Sequence, residues 1–128
     1  DPGARLVARD CAYGTHARQQ IDLYAPAKPR ETLPVVLFLY GGSWASGVRQ
    51  GYGFVGRALA AAGFLAAIPD YRLVPEVRFP AFVEDCAAAF AWLRRHAAAH
   101  GGDPDRIAVV GHSAGAYNAA MLALDARW

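Results

Sequence analysis

The sequence predicts an α/β fold: a mostly parallel sheet with helices on both faces, led in by an antiparallel hairpin. Residues 35–39, 64–68 and 107–110 are continuous apolar runs without alternation, the pattern of strands covered on both faces. Between them, residues 52–62 and 80–100 read as helices. The order strand, helix, strand, helix, strand implies parallel neighbours joined by helical crossovers.

The elements follow one another with clear punctuation. Residues 6–13 and 19–24 are rich in apolar and aromatic side chains, and Gly14-Thr15-His16 between them suits a hairpin turn. The polar stretch 26–34, with Pro26, Pro29 and Pro34, reads as a loop. Gly63 closes the first helix and Gly101-Gly102 the second. Pro80 suits the first position of that second helix, with Glu84 and Asp85 near its start and Arg94 and Arg95 near its end, matching the helix dipole. Phe82, Cys86, Ala89, Phe90, Leu93 and Ala97 recur at the helical period and form one apolar stripe to cover the sheet. A helix-forming run, 116–126, follows the last strand.

Composition narrows the class. The 128 residues are 55% hydrophobic and 19% charged, which fits one globular unit and excludes a disordered chain. A net charge of +2 with Arg94-Arg95 as the only adjacent basic pair leaves no nucleic-acid footprint. The apolar runs are far shorter than the roughly 20 residues of a membrane span. Cys11 and Cys86 match no metal or redox spacing and read as free thiols, at least partly buried. The chain opens at Asp1 with no apolar leader, so a targeting segment is expected to be removed or absent, with a cytoplasmic location favoured. Arginine outnumbers lysine 12 to 1, a composition that points to a GC-rich bacterial genome.

The chemistry sits in Gly111-His112-Ser113-Ala114-Gly115, a G-x-S-x-G pattern. Chance alone predicts about 0.03 occurrences in a chain of this composition, and the strand before and helix after supply the context the pattern requires. The glycines let the chain turn sharply between strand and helix, so that the serine hydroxyl stands clear of the sheet. Tyr40-Gly41-Gly42-Ser43-Trp44 follows the strand 35–39, where backbone N–H groups can turn toward an oxyanion.

Together with Ile21-Asp22-Leu23-Tyr24 and Pro26, Pro69-Asp70-Tyr71-Arg72-Leu73, the stretch 80–85 and Gly101-Gly102-Asp103-Pro104, these motifs resemble the α/β-hydrolase carboxylesterases. The likeness is to the branch around hormone-sensitive lipase, small bacterial esterases and arylformamidases, and it spans nearly the whole chain. It implies an α/β-hydrolase fold of which residues 1–128 are the N-terminal portion of a single domain, with later strands missing. It further implies Ser113 as nucleophile and the N–H groups of Gly42, Ser43 and Ala114 as the oxyanion hole. The branch commonly has His-Gly-Gly-Gly where this chain has Tyr40-Gly41-Gly42-Ser43, so the Ser43 donor belongs to a residue with a side chain.

The family order is serine, acid, histidine, yet of the 15 residues after Ser113 only Asp125 is acidic and none is histidine. The triad acid and histidine are therefore expected beyond residue 128. His112 should point away across the turn. His96 and His100 lack the Glu of a zincin pattern and suit a helix C-terminus. His16 reads as exposed in the hairpin turn, and Asp70 as structural.

The expected function is hydrolysis of a small-molecule carboxylic ester or acyl compound through an acyl-enzyme, with no metal or cofactor implied and neither nucleic acid nor membrane as partner. An arylformamidase or a peptidase would use the same parts. A non-catalytic binding protein on this fold is the rival class, against which the strained serine speaks. The strand 107–110 should be central in the complete fold, so as an edge it calls for the missing C-terminal segment or a second copy of the chain.

Overall fold

The computed structural model describes residues 3–28 and 31–128; part of the loop expected at 26–34 lies outside them. Strands β1 (Ala4–Ala12) and β2 (Gln20–Pro26) form the expected antiparallel hairpin. β2 also pairs antiparallel with β4 (Leu65–Pro69), while β3 (Leu33–Leu39) lies parallel between β4 and β5 (Gly102–Gly111). The sheet order is β1-β2-β4-β3-β5, which leaves β5 as an edge.

Among the described residues three α-helices complete the fold: α1 (Gly53–Ala61), α2 (Ala81–His96) and α3 (Ala114–Leu124). The expected helix 80–100 is shorter as an α-helix. After His96 the chain tightens into a 3-10 turn, Ala97–His100, which Gly101 ends at φ 84°. Pro80 caps α2 instead of opening it, because its carbonyl accepts the Glu84 N–H at 2.9 Å. β5 begins five residues before the apolar run at 107–110, since Gly102 already pairs with Leu33. A side chain there would strike Leu65 at 2.6 Å. Among the described residues no helix is long and apolar enough to cross a membrane.

Strand register assigns the helices to opposite faces. Phe38 is paired with Val110, and the Phe38 ring lies 5.9 Å from Tyr52 at the start of α1; Val110 therefore shares the α1 face. Leu37 is paired with Val109 and Val35 with Ile107, and on that face Ile107 and Val109 line a groove with α2 and α3. The stripe of α2 is buried as expected at Phe82, Cys86, Ala89, Leu93 and Ala97, with Phe90 half-buried. Both cysteines are free thiols, Cys11 half-buried and Cys86 buried. β5 is half-covered: Ile107 and Val109 are partly buried, whereas Val110 is 43% exposed.

A charged cluster ties the hairpin to the sheet. Arg49, only 5% exposed, donates through Nε to Asp22 at 3.0 Å, through Nη1 to Asp70 at 2.5 Å and through Nη2 to Gln20 at 3.0 Å and to Asp10. Asp10 reaches it from a bulge in β1, where its own φ is 57° and its N–H donates to Asp22 at 2.9 Å. Burial by itself would lower the Arg49 pKa, but the hydrogen bonds of Asp22 and Asp10 reverse the effect, and the guanidinium is held charged above its ordinary range.

Replacing Arg49 by leucine leaves Asp22 and Asp70 buried without their main counter-charge, which should cost about 3–5 kcal/mol. Denaturant unfolding of the variant should show a correspondingly lowered midpoint. An unchanged midpoint would show that the cluster is dispensable.

Candidate active site

Ser113 stands at the turn between β5 and α3, with φ 57° and ψ −119°, and is exposed. An L-residue reaches that region only against steric strain of about 1–3 kcal/mol. The flanking glycines show why the turn must be so tight. A Cβ on Gly111 would lie 2.3 Å from the Gly115 carbonyl oxygen, and one on Gly115 would lie 1.9 Å from the carbonyl oxygen of Leu39. The turn is pinned to the end of β3 by the His112 N–H, which donates to that same Leu39 carbonyl at 3.1 Å.

The loop after β3 meets this turn directly. A Cβ on Gly41 would lie 2.8 Å from both the His112 carbonyl oxygen and the Ser113 Cβ. Gly42 has φ 141°, and a Cβ on it would strike the Ser46 carbonyl at 2.4 Å. Ser43 and Trp44 follow at φ 54° and 59°, so Ser43 adopts a backbone shape that glycine would take more cheaply. The Gly42 carbonyl turns inward to accept the N–H groups of Ala45 at 3.0 Å and Ser46 at 3.1 Å. Among the described residues, no acceptor takes the N–H of Gly42, Ser43 or Ala114. The loop and the first turn of α3 thus hold unengaged donors beside the serine.

Tyr40, at the position where the resembled branch has histidine, does not face Ser113. It is fully buried, its ring stacked between Tyr52 at 5.0 Å and Tyr71 at 5.1 Å. Its hydroxyl donates to Asp70 at 2.5 Å and accepts from Arg18 at 2.8 Å. Burial, with the Asp70 charge and hydrogen bond added, pushes the phenol pKa far up and keeps it neutral. Tyr40 is the anchor from which the donor loop departs.

The remaining sequence candidates are structural. Asp70 is buried between Arg49 and Tyr40, with the backbone N–H of Arg49 donating to it at 2.7 Å and the Arg18 guanidinium forming an ion pair with it at 3.5 Å. Tyr71 donates to the Tyr40 carbonyl at 2.8 Å, and Arg72 forms a forked pair with buried Asp85 at 2.7 to 3.1 Å, so the Asp-Tyr-Arg landmark is a framework. The His96 ring lies tilted against Trp92 at 4.6 Å, and the His100 ring stacks on it at 6.4 Å. His16 is half-buried where exposure was expected, because its ring pairs with Glu76 and accepts the Arg18 N–H at 3.0 Å. Asp125 is bonded to Arg127, which holds its carboxyl down to about 2.

Sequence reasoning passed over Arg49, which carries the framework, and Asn118. Asn118 is buried on α3, accepts the Trp44 indole N–H at 3.1 Å and donates to the Cys86 thiol at 3.6 Å. An amide in the middle of an otherwise apolar helix was the only signal for it.

The BD-FAE family profile matches residues 21–127. The chain is 41% identical over 118 residues to a probable isoprenylcysteine alpha-carbonyl methylesterase, ICMEL1, of Oryza sativa subsp. japonica, covering 92% of this chain and 28% of that protein. It is 39% identical over 127 residues to carboxylesterase NlhH of Mycobacterium tuberculosis, covering 98% of this chain and 40% of that one. Esterase B from Lactobacillus rhamnosis, inhibited by a tributyrin phosphonate, superposes with a TM-score of 0.89 at 31% identity, over 94% of this chain and 40% of that one. A bacterial heroin esterase gives 0.84 at 36% identity, over 98% and 40%.

Gly115→Ala places a methyl group against the Leu39 carbonyl. The variant should lose about 1–3 kcal/mol of stability, read as a lowered denaturant midpoint. Wild-type stability would mean that the turn and β3 are not in the close contact described.

Proposed function

Because the chain belongs to the BD-FAE family and has the fold of α/β-hydrolase esterases, we propose that it carries the nucleophile and oxyanion hole of a carboxylic-ester hydrolase working through an acyl-enzyme on Ser113. The observation that carries this reading is the strained, exposed serine at φ 57° beside the unengaged N–H groups of Gly42, Ser43 and Ala114. A strained serine costs stability, and a binding module has no use for it.

In this mechanism the Ser113 hydroxyl attacks the ester carbonyl while a histidine takes its proton. The new C–O bond forms as the carbonyl π electrons move to oxygen, and that oxyanion accepts hydrogen bonds from Gly42, Ser43 and Ala114. Collapse expels the alcohol, which receives the proton from the histidine; water then releases the acid by the same steps. Among the described residues no histidine is hydrogen-bonded to the Ser113 side chain, so the base and its orienting acid are proposed to lie beyond residue 128. The chain spans 28% and 40% of the length of the two curated relatives described above. A small-molecule carboxylic ester is the proposed substrate.

In the intact protein, Ser113→Ala should lower hydrolysis of a short-chain aryl ester by at least about a thousandfold without changing the circular dichroism spectrum. Turnover within tenfold of the parent would refute Ser113 as nucleophile. Gly42→Val should cost about 2.7–4 kcal/mol in the acylation barrier, the usual loss for one oxyanion donor. A normal rate in a folded Gly42→Val protein would remove that loop from the oxyanion hole.

A further inference from the structure

The unengaged donors sit on two separate pieces of chain. Ala114 opens α3, whereas Gly42 and Ser43 lie on the loop after β3. At one end the two pieces are joined by steric contact, since a Cβ on Gly41 would lie 2.8 Å from the His112 carbonyl oxygen and the Ser113 Cβ. At the other they are joined by a hydrogen bond between side chains: the Trp44 indole N–H donates to Asn118 Oδ1 at 3.1 Å. Trp44 directly follows Ser43, and Asn118 stands four residues after Ala114, one turn along the same face of α3.

Asn118 is built for that bond. Its side chain is fully buried, and an amide there costs stability unless both of its halves are bonded. Nδ2 donates to the Cys86 thiol of α2 at 3.6 Å, which turns the oxygen toward Trp44. Leucine would fill the same space on this apolar helix without that cost; what it lacks is an acceptor for the indole. The loop needs such a fixed point. Gly42, Ser43 and Trp44 stand in succession at φ 141°, 54° and 59°, and residues with side chains keep the left-handed region only where their surroundings impose it. Trp44 is gripped on two sides, its indole by Asn118 and its carbonyl by the Val74 N–H at 2.8 Å.

We propose that Asn118 is a positioning residue for the oxyanion hole: through Trp44 it sets the spacing between the Ser43 loop and the Ala114 N–H, so that these donors converge on one oxygen as it gains charge. The proposal rests on Ser113 being the nucleophile and on these N–H groups being its oxyanion hole. Its physical basis is preorganisation. Donors stabilise a transition state in full only when they already stand in place, so a loop freed to shift loses rate and not ground-state binding.

The test measures kcat and KM of the intact protein on p-nitrophenyl acetate, beside its affinity for an aryl trifluoromethyl ketone, which a serine nucleophile converts to a tetrahedral oxyanion adduct. Trp44→Phe keeps a ring and removes the indole donor; Asn118→Leu keeps the volume and removes the acceptor. Each should lower kcat about ten- to a hundredfold, part of the loss of a whole donor, with KM changed less than about threefold. Ketone affinity should fall by the same factor as kcat/KM. The double variant should fall no further than the worse single one, because both remove the same bond. Asn118→Asp, isosteric and with an oxygen for the indole, should keep kcat within about threefold of the parent. A kcat within about twofold of the parent in folded Trp44→Phe, a loss confined to KM, or losses that multiply in the double variant would overturn the positioning role and leave Ser113 untouched. Should Asn118→Leu fail to fold, Trp44→Phe alone decides. Undiminished hydrolysis by Ser113→Ala would instead overturn the nucleophile, and the positioning role with it.

Discussion

The contact on which the site depends is between backbones: the carbonyl of Leu39, at the end of β3, against the Cα of Gly115, at the start of α3. With 1.9 Å between that oxygen and any Cβ at Gly115, only glycine admits the approach. The approach in turn fixes Ser113. Pairing of Phe38 with Val110 and Leu39 with Gly111 runs to the very end of β5, and the His112 N–H then closes on Leu39, so the chain has no slack in which to relax φ at the next residue. Strain of this kind persists only where the surroundings over-determine it. The same crowding carries Gly41 up to Ser113, so one steric constraint sets both the strained serine and the loop of donors.

The donor loop needs a fixed origin, and the Arg49 cluster supplies it. Arg49 holds Asp70, Asp70 accepts from Tyr40, and Tyr40 begins the loop that runs through Gly41 and Gly42. Buried ionic groups are costly to desolvate, and a hydrophobic replacement of the whole cluster would not be expected to lose stability. What an apolar core could not reproduce is direction: a forked guanidinium and a carboxylate accept one geometry, whereas packed aliphatic side chains accept several. We read the cluster as holding the loop in register with the turn at Ser113.

Legibility in the sequence followed the range of the interaction. The strands at 35–39, 64–68 and 107–110, the stripe of α2 and the elbow were readable because each is written in a few consecutive residues, and the structure keeps them with shifted ends. Arg49 was not readable. Its carboxylate partners lie 21, 27 and 39 positions away, and nothing local distinguishes an arginine in a glycine-containing loop from a solvated one. The Asp10 bulge was hidden for the same reason, as it is made by pairing with β2 and not by residue type. The aromatic group around Trp44 was half visible: Trp44 stood in a motif, but its neighbours Phe79, Phe82 and Tyr117 come from the segment before α2, from α2 and from α3, which only the fold brings together. His16 was misjudged because a turn residue is ordinarily exposed, and its partner Glu76 sits 60 positions along the chain.

Topology explains why the strained serine and the unengaged donors meet at this end of the sheet. The connection leaving β3 passes to α1 on one face, and the one leaving β5 passes to α3 on the other. Adjacent parallel strands whose continuations part in this way open a crevice at their carboxyl ends, the place where α/β sheets bind ligands. The N-terminus of α3 brings the unengaged N–H of Ala114 and the positive end of its dipole to that crevice, and the loop after β3 faces it from the opposite lip. Both lips are donors of hydrogen bonds to negative charge. Such a crevice favours an oxygen that becomes an anion over one that stays a neutral carbonyl, and on the proposed function that difference would be the source of catalysis at this pole of the site.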